Sequence, residues 1–268
     1  MNAGIMAASG ILTAYGLFES RRSPEIKKVL IPIKNLPDDL SGFTIAQITD
    51  IHVSPTIKRD WVKIIVDKVN RLSPDIIAFT GDLADGSVER LQNDVAPLSD
   101  LEAKYGKYFV TGNHEYYSGI NRWINEIKRL GFTVLINEHR IIRHGKARIF
   151  LGGVTDYKGG QFYKSHASSP KAAIEGALPS DIKLLLAHQP KNIFSAAKAG
   201  FDLQISGHTH GGQFFPWNYV VCLDQPFVSG LHKFKNTQIY VNNGTGYWGP
   251  PLRLGVPSEI TLLQLTVS

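Results

Sequence analysis

The 268-residue chain contains nine histidines, and five of them stand among residues whose types could hold a metal. The densest group is Gly207-His208-Thr209-His210-Gly211-Gly212-Gln213, directly after the alternating run 202–206. In extended backbone, residues i and i+2 point to the same side, so His208 and His210 can reach one point in space. The glycines around them permit tight turns and a close approach of the backbone to that point. Further groups carry related chemistry: Asp50-Ile51-His52, Gly81-Asp82, Gly112-Asn113-His114-Glu115 and His188. Without His114 the set offers two Asp, one Asn and four His, all oxygen or nitrogen donors. Such a set suits a transition-metal cation better than calcium, which takes oxygen alone. It holds too many ligands for one tetrahedral ion and enough for two ions that share a carboxylate. Two ions about 3.5–4 Å apart can clamp oxygens on both sides of an in-line displacement at phosphorus.

The elements needed to bring these groups together can be read from periodicity. Residues 43–49 alternate and are rich in β-branched side chains, which predicts a strand. Asp60 is placed to N-cap a helix running to Leu72, with Trp61, Ile65, Val69 and Leu72 on one face. Residues 75–80 read as a buried strand, followed by a helix over 94–104 and a strand over 107–111. Ile120, Trp123, Ile124, Ile127 and Leu130 mark another helix, ended by Gly131. Strands are predicted at 133–135, 140–144, 148–154, 182–187, 203–206, 238–242 and 259–267, with short helices at 171–176 and 192–199. Asp50 to Asp82 is 32 positions and Asp82 to Asn113 is 31, one βαβ unit each. Ligands of open α/β sheets collect beyond the carboxyl ends of strands, which is where every group of the set falls. Two mixed sheets packed together with helices outside accommodate this order, in one catalytic domain over 42–268.

Composition narrows the remaining possibilities. Apolar content of 43% and charged content of 19% are those of a folded globular chain. Cys222 is the sole cysteine, so neither an intramolecular disulfide nor a cysteine zinc site is possible. A net charge of +6 suits an anionic partner, but no concentrated basic stripe points to specific nucleic-acid binding. Residues 1–18 carry no charged side chain, and Arg21, Arg22, Lys27 and Lys28 follow them. Eighteen helical residues span about 27 Å, near the thickness of a hydrocarbon core. Residues 1–18 are therefore expected to anchor the chain in a membrane and 19–41 to form a basic connector, with the catalytic domain on the cytoplasmic side.

In order, the groups DIH, GD, GNHE, H and GHTH resemble the motifs of the calcineurin-like metallophosphoesterases across 43–267. The resemblance implies a four-layer αββα sandwich. It also implies that Asp50, His52 and His210 hold one divalent ion, that Asn113, His188 and His208 hold a second, and that Asp82 bridges them. The ions would be Mn, Fe or Zn. The segments GHTHGGQFFPW and GTGYWGPPLRLG are similar to a bacterial membrane-associated branch, some of whose members cleave the pyrophosphate of UDP-2,3-diacylglucosamine. That implies the bacterial inner membrane as location and a phosphodiester or pyrophosphate in a lipid- or nucleotide-linked substrate. Residues 1–18 would then be the last helix of a longer membrane protein.

The expected nucleophile is a hydroxide held between the ions, since no Ser or Cys sits in a nucleophile motif. His114 is expected to protonate the leaving oxygen, oriented by Asp82. Tyr116, Tyr117 and Arg253 are expected to contact substrate, Arg253 through phosphate. Metallo-β-lactamase-like and amidohydrolase patterns fit poorly: Gly212 and Gln213 stand where the first needs Asp and His, and the first strand ends in D-x-H rather than H-x-H. A non-catalytic metal-binding module and a nuclease remain as alternatives. His139, His144, His166 and His232 fall outside the pattern and are expected to be structural.

Overall fold

The structure, a computed structural model, describes residues 2–268. Met1, the first residue of the expected anchor, lies outside the described residues. In chain order the elements begin with α1 (Asn2–Arg21), β1 (Glu25–Ile33), β2 (Thr44–Ile48), α2 (Arg59–Leu72) and β3 (Ile76–Phe79). They continue through α3 (Val88–Val95), β4 (Lys107–Phe109), α4 (Asn113–Tyr117), α5 (Ile120–Arg129), β5 (Thr133–Val134), β6 (Glu138–His144) and β7 (Ala147–Gly153). Then come α6 (Gly159–Phe162), α7 (Pro170–Ala173), β8 (Ile182–Leu186), α8 (Ile193–Ala199) and β9 (Leu203–Ser206). The chain closes with α9 (Trp217–Asp224), β10 (Gly230–Phe234), β11 (Thr237–Val241) and β12 (Glu259–Val267).

The strands form two six-stranded mixed sheets, ordered β1-β12-β2-β3-β4-β5 and β10-β11-β9-β8-β7-β6. Within the first, β2, β3 and β4 run parallel; within the second, β7, β8, β9 and β11 do. Alternation along each strand decides which layer a side chain joins. Ile45, Ile76 and Ala78 face the other sheet and pack with Leu184, Leu186, Leu203 and Ile205. Their neighbours Ala46, Ile77 and Phe79 face outward onto Val62, Ile65 and Val69 of α2 and Trp123 and Ile127 of α5. Behind the second sheet, Leu185 and Ala187 meet Ala173 of α7 and Ala196 of α8. Helix, sheet, sheet and helix thus stack in four layers around three buried seams.

Three expectations are corrected. Residues 25–33, assigned to a connector, form β1 and pair in parallel with β12 from Glu25↔Glu259 to Ile33↔Val267. The folded unit therefore begins well before residue 42, because Ile31 and Ile33 bury themselves between the sheets. The helix expected at 94–104 is shifted: α3 ends at Val95, and Pro97 opens a separate 3₁₀ turn over Ala96–Asp100. Asp60 sits inside the first turn of α2 rather than at its cap, and Asp94 accepts from the Arg59 N–H instead, at 3.2 Å.

The membrane expectation meets a further correction. Among the described residues no helix is long and apolar enough to cross a membrane. Gly4, Gly10 and Gly16, with four alanines, dilute the apolar content of α1.

Candidate metal centre

Each proposed ligand sits just past the carboxyl end of a parallel strand. Asp50 and His52 follow β2, Asp82 follows β3 and Asn113 follows β4 in the first sheet. From the second sheet, His188 follows β8, and His208 and His210 follow β9. The two sets of strand ends face the same rim of the sandwich. Backbone strain is concentrated there. Five of the ten described non-glycine residues with positive φ are expected ligands: Asp50, His52, Asp82, His208 and His210. A left-handed conformation costs a non-glycine residue about 1–3 kcal/mol and persists only where its surroundings over-determine it. Glycines make room for the turns. A β-carbon at Gly112 would collide with Asp82 Oδ1, and one at Gly207 with Asp50 Oδ2.

The donor atoms converge in two groups. In the first, the Asp50 carboxylate and the His52 and His210 imidazoles all place an atom within 4.8 Å of one another. The Nε2 atoms of His52 and His210 are 3.1 Å apart, and Asp50 Oδ1 lies 3.6 Å from His210 Nε2. In the second group, Asp82, His188 and His208 converge in the same way. His188 Nε2 is 3.1 Å from Asp82 Oδ2, 3.2 Å from Asn113 Oδ1 and 3.1 Å from His208 Nδ1. Asp82 Oδ2 also stands 3.8 Å from His52 Nε2, so one oxygen lies between the two groups. All seven expected ligands are therefore brought together.

Does this set fit a cation? His188 Nδ1 is 2.7 Å from the Thr80 carbonyl oxygen, which only accepts, so that nitrogen carries a proton. Burial opposes a second proton on that ring, but Asp82, then Asp50 and Asp156, outweigh it and raise the His188 pKa well above its ordinary value. At His52, Nδ1 donates to Asp85 Oδ1 at 2.8 Å, and Nε2 faces Asp50, Asp82 and His210. Carboxylates buried among these nitrogens need positive charge beside them, which the His188 proton supplies and a bound cation would supply in its place. Burial, then the field of His188, lowers the His208 pKa to about 3. Burial, then His52 and Arg253, pushes His210 well below its ordinary value. Both rings are held neutral, the form that ligates. Burial favours the neutral acid at both carboxyls, but His188 overcomes it at Asp82, which stays well below the usual range. At Asp50 burial prevails and the pKa is raised. The residues fit divalent cations, whose charge would ionise Asp50 as well.

His114 lies at the edge of this centre, with Nε2 3.9 Å from Asp82 Oδ2. Its orientation comes from Asp85 and not, as expected, from Asp82. Asp85 Oδ1 is 2.6 Å from His114 Nδ1 and 2.8 Å from His52 Nδ1. These are hydrogen-bond separations, with the carboxylate accepting from both rings. Burial opposes the His114 imidazolium, but the Asp85 hydrogen bond and the charges of Asp82, Asp85 and Glu115 outweigh it, raising the pKa to about 9. Asp82 contributes by accepting the His114 backbone N–H at Oδ1, 2.9 Å away. Glu115 is a further residue the motif reading passed over. Its carboxylate accepts from the N–H groups of Asp82, Leu83 and Gly112 at 3.0, 2.8 and 2.7 Å, tying the loops after β3 and β4 together.

The residues expected to contact substrate divide three ways. Tyr117 is 60% exposed at the rim, its ring 5.3 Å from that of His114. Tyr116 is buried, and its hydroxyl pairs with His166 Nδ1 at 2.9 Å, away from the donor groups. Arg253 is fully buried behind His210 and cannot reach a phosphate. A cavity of about 250 Å³ opens over the centre. It is lined by His52, Asp82, Asn113, His114, His208 and His210, and by Phe214, Trp217, Val220, Val221 and Trp248 with Asp224 and Gln225 among them.

Residues 43–212 match the calcineurin-like phosphoesterase family. A zebrafish transmembrane protein with metallophosphoesterase domain is 36% identical over 265 residues, which cover 96% of this chain and 61% of that protein. An uncharacterized metallophosphoesterase of Helicobacter pylori is 39% identical over 252 residues, 93% of this chain and 66% of the relative. The chain thus spans about three-fifths to two-thirds of the length of these two relatives. With vertebrate relatives this similar, and no described helix able to span a bilayer, the expected bacterial inner-membrane location is withdrawn. Among solved structures, an NAD nucleotidase from Haemophilus influenzae aligns with a TM-score of 0.54 at 16% identity, over 76% of this chain and 45% of that one. That likeness bears on the fold alone. Motifs in the right order, a convergent donor set and the family match agree: the chain belongs to the calcineurin-like phosphoesterase family.

Proposed function

We propose that the chain hydrolyses a phosphodiester or pyrophosphate with two divalent transition-metal ions, Mn, Fe or Zn, and that the substrate carries an apolar, lipid-like substituent. The observation that carries the two-ion reading is the position of Asp82 Oδ2 between two donor groups, 3.8 Å from His52 Nε2 and 3.1 Å from His188 Nε2. Asp50, His52 and His210 would hold one ion; Asn113, His188 and His208 would hold the other. Bound there, the ions would neutralise charge on phosphoryl oxygens and acidify the attacking water. The chain's own contribution is orientation and a proton. His114 lines the cavity with Nδ1 fixed by Asp85, so the proton on Nε2 is available to a departing oxygen. The tight packing of Gly112 and Gly207 against the carboxylates keeps both in place.

The substituent is argued from the apolar wall of the cavity. Phe214, Trp217, Val220, Val221 and Trp248 are apolar, and neither Lys nor Arg is among the lining residues. Gln213 spends its amide on the Trp248 backbone. This wall suits an alkyl or acyl group better than a nucleotide, and it speaks against a nucleic-acid strand, whose phosphates need cationic partners.

The test is a series of 4-nitrophenyl alkyl phosphodiesters of increasing chain length. KM is expected to fall by up to about fourfold per methylene until the wall is covered, and Trp217→Ala to flatten the series. Equal KM values for all chain lengths would refute the apolar substituent. No hydrolysis of any member, with metal bound, would refute the esterase reading.

A further inference from the structure

Arg253 presents a puzzle once it is removed from the substrate side. It is among the largest fully buried side chains, and no carboxylate lies within ion-pair distance of it among the described residues. Buried charges are ordinarily paired. Here main-chain oxygens do the work: Nε donates to Gly246 O at 3.0 Å, Nη1 to Val256 O at 3.0 Å and Nη2 to Asn243 O at 2.8 Å. Burial lowers its pKa only to about 10, so the cation persists at neutral pH. The same Nη2 lies 3.3 Å from His210 Nδ1; when Nε2 ligates, Nδ1 carries the proton, so this contact is packing against the ring and not a hydrogen bond. The guanidinium therefore cross-links the loop between β11 and β12 and backs one imidazole of the centre.

The other side of that loop is held by the N-terminal helix. The Arg253 N–H donates to Gly16 O at 3.0 Å, and Ser20 Oγ donates to Pro251 O at 2.7 Å. Gly16 packs closely on the loop: a β-carbon would sit 2.5 Å from Leu252 Cδ1 and 3.3 Å from Arg253 O, so a large side chain there must displace Leu252 and the loop. Further toward its start the helix stands free, with Ile5 and Ile11 well exposed. So the last turns of α1, and not its beginning, are fitted to the loop.

We propose that Arg253 is a positioning residue for His210, and that the C-terminal turns of α1 latch the loop that carries it. The helix thereby tunes the affinity of the Asp50, His52 and His210 group for its ion. The proposal rests on the metal reading above and goes beyond it, since nothing in the ligand motifs involves residues 16–20. Arg253 acts through the loop it fixes, which packs on the ring: a β-carbon at Gly244 would sit 2.8 Å from His210 Nδ1. Losing the groups that orient a ligating histidine costs about 10–100-fold in metal affinity.

Four versions of the 268-residue chain test it: wild type, Gly16→Phe, Arg253→Lys and Ile5→Ala. Mn²⁺ affinity is measured by equilibrium dialysis, and protection of the Arg253 amide by hydrogen exchange. Wild type is expected to bind two ions and to protect that amide. Gly16→Phe, which pries the helix from the loop, is expected to lose the protection and weaken one ion by about 10–100-fold, leaving the other unchanged. Arg253→Lys keeps the charge, loses the fork and is expected to weaken the same ion. Ile5→Ala, on the free part of α1, is expected to match wild type. Gly16 is buried under the loop but joins none of the core clusters, so Gly16→Phe decides the matter even if Arg253→Lys does not fold. The latch is refuted if Gly16→Phe exposes the amide and both ions bind as before. It is equally refuted if the amide stays protected, because the packing is then not as described. A wild-type chain that binds no ion would instead overturn the metal reading itself.

Discussion

At the scale of single residues, the centre gathers imidazoles and carboxylates, most of them in strained turns, with one histidine set apart. His114 differs from the ligands because both of its nitrogens are spoken for differently: Nδ1 by Asp85, Nε2 by the cavity. His114→Ala is expected to retain bound metal and lose about 10²–10⁴-fold in turnover, the usual worth of a positioned proton donor. Unchanged turnover would remove the acid role. In metal-free protein, NMR titration is expected to find the His114 imidazole near 9, and Asp85→Asn to bring it back toward 6.5. The sign for stability follows from a folded pKa raised above the unfolded one. Stabilisation by protonated His114 is fully present below about pH 6.5 and is lost as pH rises through about 9. The expected ligands were legible in the sequence because Asp82, Asn113, His208 and His210 adjoin a glycine, Asp50 and His52 stand two apart, and His188 closes a predicted strand. Asp85 was not, since an aspartate three positions past Asp82 reads as an ordinary turn residue until its contacts are seen. Arg253 was misread for a related reason: type alone suggests phosphate, and only burial assigns it to the main chain.

At the scale of elements, the parallel strands were legible because Ile76-Ile77-Ala78-Phe79 and Leu184-Leu185-Leu186 are buried on both faces. What the pattern missed lies at the margins. β1 begins with charged residues and reads as a connector, yet Val29, Ile31 and Ile33 alternate inward and pair with a strand more than 200 positions away. Such a pairing is invisible to local periodicity. β10 is a largely exposed edge strand with little apolar signal. α9 carries no buried side chain, so no amphipathic face announces it. The connection between elements that matters most is Glu115, at the start of α4. It satisfies three backbone N–H groups from two loops. Removing it leaves those donors buried and unpaired at about 1–3 kcal/mol each. Glu115→Ala is expected to cost about 3 kcal/mol or more in urea denaturation of the metal-free chain, and Glu115→Gln to cost less. A loss under about 1 kcal/mol in Glu115→Ala would show that the loops hold without it.

At the scale of the whole molecule, two sheets bring their strand ends to one rim, and neither sheet alone supplies a complete ion site. Asp50 and His52 come from one sheet and His210 from the other; Asp82 and Asn113 come from one and His188 and His208 from the other. Metal occupancy and sandwich assembly are therefore linked, and ions that bind only the folded state raise its stability by mass action. The helix α1 joins this assembly at its end, through the loop that backs His210. The central claim is that the shared Asp82 oxygen marks a pair of ions that hydrolyse a phosphoester. Its most direct test is metal content per chain by plasma mass spectrometry, measured with bis(4-nitrophenyl) phosphate turnover before chelation, after chelation and after metal is restored. The account predicts two divalent ions per chain, activity lost with them and regained with them, and Asp82→Asn lacking both. A chain that holds no divalent ion, or turnover that survives complete metal removal, would contradict it.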